Sequence, residues 1–328
     1  VKLMIYAHGG LNSESDAISR IRVMAPYALA NGIYPLFISW RSGALETVSD
    51  LAEEWAARLG LGVRGVPPAK GWLDRITEGT DRMLEPVLRA PGGAMWGQMK
   101  LNAERASLSD QGGVRLMLPH LQALQAQLPK LEIHLIGHSA GAIVLGAMLK
   151  QLARAKLKAA SVRLFAPACT TGFALAHYVP AVTQGVLDAQ HFHIHVLSDQ
   201  NERDDAVGPY RKSLLYLVSR SFEDAHKMPI LGMQRNFDPA TVAPDAADDM
   251  WAREHRKEVA QWQRFWADLG LGATHLNVLT ARRVSNGAGS EPATHGCFDN
   301  AIDIMGQALG YIVDPVAQPK VRIERLAE

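Results

Sequence analysis

A small set of residues in this chain could together attack a carbonyl carbon. Ser139 stands in Gly137-His138-Ser139-Ala140-Gly141, where glycines two positions either side let the backbone bend sharply enough to expose a nucleophilic hydroxyl. Such a hydroxyl needs a base to take its proton. Among the twelve histidines, His295 has the right setting, in a loop after the last strand-like run, from which an imidazole can swing over the bend. An acid should lie between the two in sequence, to fix the imidazole tautomer and stabilise the imidazolium. The run after His191–Leu197 offers Asp199, Glu202, Asp204 and Asp205. Asp204, followed by Val207 and the Gly208-Pro209 turn, is the first choice and Asp205 the second. Asp199 reads as the strand's closing turn residue and Glu202 as a solvated carboxylate. The negative oxygen formed by attack needs two backbone N–H groups about 3 Å away, and Gly10 and Ala140 are the candidate donors.

These residues need elements to hold them. Leu131, Ile133, Leu135 and Ile136 form an apolar run suited to a central strand covered on both faces. Ile143, Val144, Ala147, Met148 and Leu152 then recur at helical spacing, so Ser139 lies at a strand–turn–helix junction whose free N–H groups point at the bend. Read more plainly, the same pentapeptide is a glycine-rich turn with a capping serine. The run Lys2–Tyr6 is a second strand, ending in His8-Gly9-Gly10 and followed by a helix from about Ser13. Further strands are expected at 33–40, 160–166, 191–197 and 273–280, and a polar, glycine-rich loop over 281–293.

The chain resembles the α/β-hydrolase-fold serine hydrolases of the esterase and lipase type. The matching positions are His8-Gly9-Gly10 for the oxyanion loop, Gly137 to Gly141 for the nucleophile elbow, the Asp204-Asp205 loop for the acid and Thr294-His295-Gly296 for the base. Their order is Ser, Asp, His, as in that family. The resemblance implies one α/β domain over residues 1–328, with a mostly parallel central sheet and helices on both faces. It implies cleavage of a small-molecule carboxylic ester through an acyl-enzyme, with no metal or organic cofactor. Lipase, thioesterase or amidase action with the same triad, or a noncatalytic binding module on that fold, are the alternatives. The family usually has two antiparallel strands before the strand that feeds the oxyanion loop. Here that strand starts at Lys2, and the first residue is Val1 rather than Met, which suits a truncated or processed start.

Two excursions exceed what a strand–helix connection requires. Residues 43–112 read as a helical cap, interrupted by a small-residue break at Pro91-Gly92-Gly93. Residues 211–270 read as a second insertion or lid, whose Trp251, Trp262 and Trp266 form an apolar stripe with Val259 and Leu269. That stripe could meet an acyl chain or a membrane. Packing onto the core is the plainer reading.

Composition narrows the classes. With 48% hydrophobic residues, 20% charged residues and a net charge of +1, the chain suits a large globular core and offers no global field for nucleic acid. No apolar stretch approaches the ~18 residues of a transmembrane span. Cys169 and Cys297 are too few for a secreted disulfide framework and favour a reducing, cytoplasmic compartment, with a single bridge between them left open. His191, His193 and His195 share one face of a strand, but no fourth ligand accompanies them and they read as structural.

Overall fold

A computed structural model of the protein describes residues 1–10, 14–40, 53–54, 72–243, 250–272, 274–314 and 320–327. Its elements run β1 (Lys2–Ala7), α1 (Glu14–Ala30), β2 (Ile33–Ile38), α2 (Trp72–Leu108), α3 (Gly113–Gln127), β3 (Glu132–His138), α4 (Gly141–Arg154), β4 (Ser161–Phe165) and α5 (Thr171–Thr183). Then come β5 (Phe192–Leu197), α6 (Asp199–Asp204), α7 (Leu214–Leu217), α8 (Arg256–Asp268), β6 (Leu276–Leu279), the hairpin β7 (Arg283–Ser285) and β8 (Ser290–Pro292), and α9 (Ile302–Val313).

Six strands form one sheet in the order β2-β1-β3-β4-β5-β6, every neighbouring pair parallel. The sheet is thus of the α/β class. Every residue of β4 and β5 is buried, as in parallel strands covered on both faces. β2 is an edge strand and tolerates Pro35, which has no N–H to donate. The chain leaves β1 toward β2 on one side and returns to β3 on the other. The strand order therefore reverses between β1 and β3, and with right-handed crossovers this sends α1 and α4 to opposite faces. Such a reversal opens a crevice at the carboxyl ends of the two strands. His8-Gly9-Gly10 and the Ser139 bend lie there.

Helix α4 is buried almost all round, as an apolar helix must be when it packs against the sheet and other helices. It lies against α2, α3 and α5, and Tyr178 of α5 donates its hydroxyl to the Ala142 carbonyl at 2.6 Å.

The structure departs from expectation in several places. Helix α2 runs unbroken for 37 residues through Pro86 and Pro91, so the small-residue break does not occur. A Cβ on Gly92 would lie 2.1 Å from the Phe222 ring, and the buried Trp96 indole donates to Glu223 Oε1 at 2.6 Å. Close packing against the 218–223 turn thus decides the helix where propensity alone would end it. Of the expected 43–112 cap, residues 43–52 and 55–71 lie outside the described residues. The 281–293 loop contains a hairpin whose Asn286-Gly287 turn places Gly287 at φ 84°, the left-handed conformation glycine allows. The acidic loop after β5 is a short helix, α6, capped by the Ser198 hydroxyl accepting from the Asn201 N–H, so Asp199 opens a helix rather than closing a strand.

The tryptophan stripe faces inward. Trp251 and Trp262 are fully buried, and Trp266 packs edge-on against Phe192 and Phe237, which seats α8 beside α5. Among the described residues no helix is long and apolar enough to cross a membrane. Cys169 and Cys297 are separate, buried thiols; burial pushes the Cys297 thiol up to about 12.

Candidate active site

The site begins with the register of β1 and β3, which pairs Ala7 with Gly137 and so brings the chain segments that follow them side by side. Ser139 adopts φ 52°, a conformation that costs a non-glycine residue of order 1–3 kcal/mol and persists only where the surroundings enforce it. Here the Ser139 N–H donates to the Phe165 carbonyl at 2.8 Å, and the Ser139 carbonyl accepts from Ala168 at 3.0 Å and from Ala142 at 3.1 Å. A Cβ on Gly141 would stand 2.2 Å from the Ala7 carbonyl oxygen, and one on Gly137 would stand 2.8 Å from Leu145 Cδ1. Rigid backbone therefore requires glycine at 141, whereas at 137 the end of a leucine would have to shift.

Ser139 and His295 meet. His295 Nε2 lies 2.9 Å from Ser139 Oγ, although 156 residues separate them in sequence. The imidazole is clamped through its own main chain: the His295 N–H donates to Asp205 Oδ2 at 2.9 Å, and His138 Nε2 donates to the His295 carbonyl at 3.0 Å. The His138 ring also stacks on the His295 ring, centroids 5.4 Å apart. Burial, reinforced by the neighbouring His138, lowers the His295 pKa to about 3. It is therefore neutral at pH 7, the form that accepts a proton. For Nε2 to accept, the proton must sit on Nδ1, and among the described residues that buried nitrogen has no hydrogen-bond partner.

Asp204 is not brought to His295. It is the last residue of α6, half-exposed, paired with Arg282 and accepting from Gln200 Nε2 at 3.0 Å. Asp205 caps the helix in an extended conformation, ψ 171°, which turns its carboxylate toward His295 while Asp204 keeps the helical direction. The acid nearer the role is thus the second choice of the sequence reading. Burial raises the Asp205 pKa against the lowering effect of the two amides it accepts. Glu202 is not solvated: it is buried, bonded to the Ser213 hydroxyl, and pushed up to about 8 by burial.

Gly10 and Ala140 adjoin each other. A Cβ on Gly10 would lie 2.6 Å from Ala140 Cβ and 2.3 Å from Met99 Sδ of α2, so only glycine fits. Among the described residues neither N–H has an acceptor. His8 props this loop, with Nδ1 2.7 Å from the Gly9 carbonyl oxygen and its ring stacked on Trp40.

One group has no counterpart in the sequence reading. Asp299 is buried behind His138, accepts the Tyr6 hydroxyl at 2.6 Å, and lies 3.4 Å from His138 Nδ1 and 3.8 Å from Arg20 Nε. Burial alone would raise its pKa, but Arg20 and His138 outweigh this and hold the carboxylate far below its usual range. Burial likewise lowers His138, but Asp299 more than reverses that and leaves it raised. Arg20 and Asp299 lie on segments 279 residues apart, and no local spacing announces the pair. The expected histidines of β5 are packed elsewhere: His195 meets Arg163 at 2.7 Å and His193 stacks on His275. Among the described residues no group of three or more His, Cys, Asp or Glu side chains could hold a metal ion.

Comparison of the chain with protein-family models, with curated proteins and with solved structures finds no match. The chemistry of the site is therefore argued from its own geometry.

Proposed function

We propose that the protein is a serine hydrolase of the α/β-hydrolase type that cleaves small carboxylic esters. The observation that carries this reading is the 2.9 Å contact between Ser139 Oγ and His295 Nε2 on a serine held at φ 52°. A capping serine does not need that backbone conformation, nor a buried neutral imidazole on its hydroxyl.

In the proposed reaction Ser139 Oγ attacks the ester carbonyl as His295 Nε2 takes its proton. The Ala140 and Gly10 amides receive the oxyanion. Collapse of the tetrahedral intermediate expels the alcohol, which leaves with the proton returned by His295, and a water molecule repeats the sequence to free the acid. Asp205 is the acid we assign to His295, completing a bond to Nδ1 when the imidazolium forms. The cycle balances with serine, histidine and water, so it calls for no metal or organic cofactor. Helix α2, whose Met99 touches Gly10, is read as part of a cap over the crevice. A lipase reading loses support because the tryptophans that could have met lipid are buried.

A fluorophosphonate probe tests the proposal directly. Wild type should be labelled covalently at Ser139 and Ser139→Ala should not; equal labelling of both, or of neither, rejects the assignment.

A further inference from the structure

A second recess lies farther along α2, away from Ser139. It encloses about 870 Å3, within the ~300–1,000 Å3 range of small-molecule sites. Six cationic side chains line it: Arg82 and Arg89 from α2, Arg203 from α6, and Lys212, Arg220 and Lys227 from the segment around α7. The whole chain carries a net charge of only +1, so this concentration is positional rather than compositional.

Part of that charge is balanced. Lys212 pairs with Asp81 at 2.9 Å, Arg220 with Glu85 at 3.5 Å and Arg203 with Asp199 at 3.0 Å. Those carboxylates also hold the cations in fixed positions. Arg220 further lies over the Tyr216 ring, 5.4 Å from its centroid. Arg82 and Arg89 differ. Among the described residues neither pairs with a carboxylate, and Arg89 donates only to the Asp224 main-chain carbonyl. They stand two helical turns apart on one face of α2, about 10 Å along the axis at 1.5 Å per residue. At that spacing they offer two separate guanidinium forks, which a chain of anionic groups can engage together. Planar guanidinium forks suit phosphoryl oxygens especially well.

We propose that this recess binds a small polyanion carrying two or more phosphoryl groups. The same rise places Arg89 and Arg82 roughly 15–25 Å along α2 from Met99 at Gly10. The site is thus separate from Ser139 and does not rest on the hydrolase reading.

Inorganic tripolyphosphate is the probe, titrated calorimetrically into the full chain at low ionic strength. Saturable one-site binding is expected, at least tenfold weaker in Arg82→Glu/Arg89→Glu and unchanged within twofold in Arg22→Glu. The last variant makes the same kind of charge change on α1, at a residue that does not line the recess. Should the double variant fold poorly, Arg82→Ala alone should weaken binding several-fold. Absence of saturable binding, or equal weakening by Arg22→Glu, overturns the proposal. Because the readout is binding, its failure is distinguishable from any failure of Ser139 labelling.

Discussion

Asp205 reaches the main-chain amide of His295 rather than its ring, at 2.9 Å, while the ring's Nδ1 stays buried with no partner among the described residues. For Asp205 to set the tautomer, its carboxylate must turn from that amide to Nδ1. Asp205→Asn is expected to lower kcat on a small soluble ester by about 10³–10⁴-fold, the scale of losing a tautomer-setting acid. Asp204→Asn should change it by less than about threefold, since Arg282 and solvent surround that side chain. Steady-state kinetics of the two variants decides between them, and a large loss in Asp204→Asn rejects the assignment.

Gly141 and Gly137 make a paired test of the bend. Gly141→Ala drives a methyl into the rigid Ala7 carbonyl at 2.2 Å, whereas Gly137→Ala meets the end of a leucine at 2.8 Å. The first should lower stability by about 3 kcal/mol or more and the second by about 1–2, the range of overpacked sites. Urea melts that rank the two variants the other way would contradict the close-approach argument.

Gly10→Ala perturbs the proposed oxyanion donors, because its methyl falls 2.6 Å from Ala140 Cβ. A fall in kcat of about 10²-fold with a smaller effect on KM is expected, as for loss of one oxyanion donor. Rates equal to wild type would remove Gly10 from the site.

The buried ionisable groups set the response to acid. His134 and His295 have pKa values lowered to about 4 and about 3 by burial, below the ordinary 6.5. A depressed histidine leaves the unfolded chain binding more protons below pH 6.5, so stability falls as pH drops from about 6.5 toward 4. Asp299 is depressed as well, and its contribution, present above the ordinary carboxylate pKa, is lost only at still lower pH. His138 has the opposite sign: its pKa is raised, so its contribution is full below 6.5 and is lost as pH rises through the folded value. Thermal melts from pH 4 to 9 should show a steep acid limb and a shallow decline above neutrality. In Asp299→Asn the part of the decline owed to His138 should be lost, since His138 loses the carboxylate that raises it, while the fall contributed up to about pH 8 by the raised Glu202 carboxyl remains. A decline unchanged in this variant would remove His138 from it.

Trp262 is buried against Phe237 and Trp266. Trp262→Ala should destabilise by about 3–5 kcal/mol, and wild-type activity should show no jump when an ester substrate passes its solubility limit. A sharp rise there would return the stripe to a lipid-contact role.

Elements with strong local patterns are legible from the chain before it folds. The β3 run, the glycines around Ser139 and the apolar α4 follow from periodicity and steric need within about twenty residues, and the parallel sheet follows from their alternation with other strands and helices. The Asn-Gly signal of the β7–β8 hairpin is equally local, but it is masked by the glycine-rich loop around it. Tertiary structure decided what depends on contacts between distant segments. Propensity ends a helix at Pro91-Gly92-Gly93, yet Phe222 packs onto Gly92 and α2 continues. Composition cannot distinguish Asp204 from its neighbour, since only the capping geometry of α6 turns one toward His295 and the other toward Arg282. Nor does any spacing foretell that Tyr6, Arg20, His138 and Asp299 converge. Asp299 stays ionised there because Arg20, His138 and the Tyr6 hydroxyl outweigh the cost of burial, and that arrangement belongs to the folded chain alone.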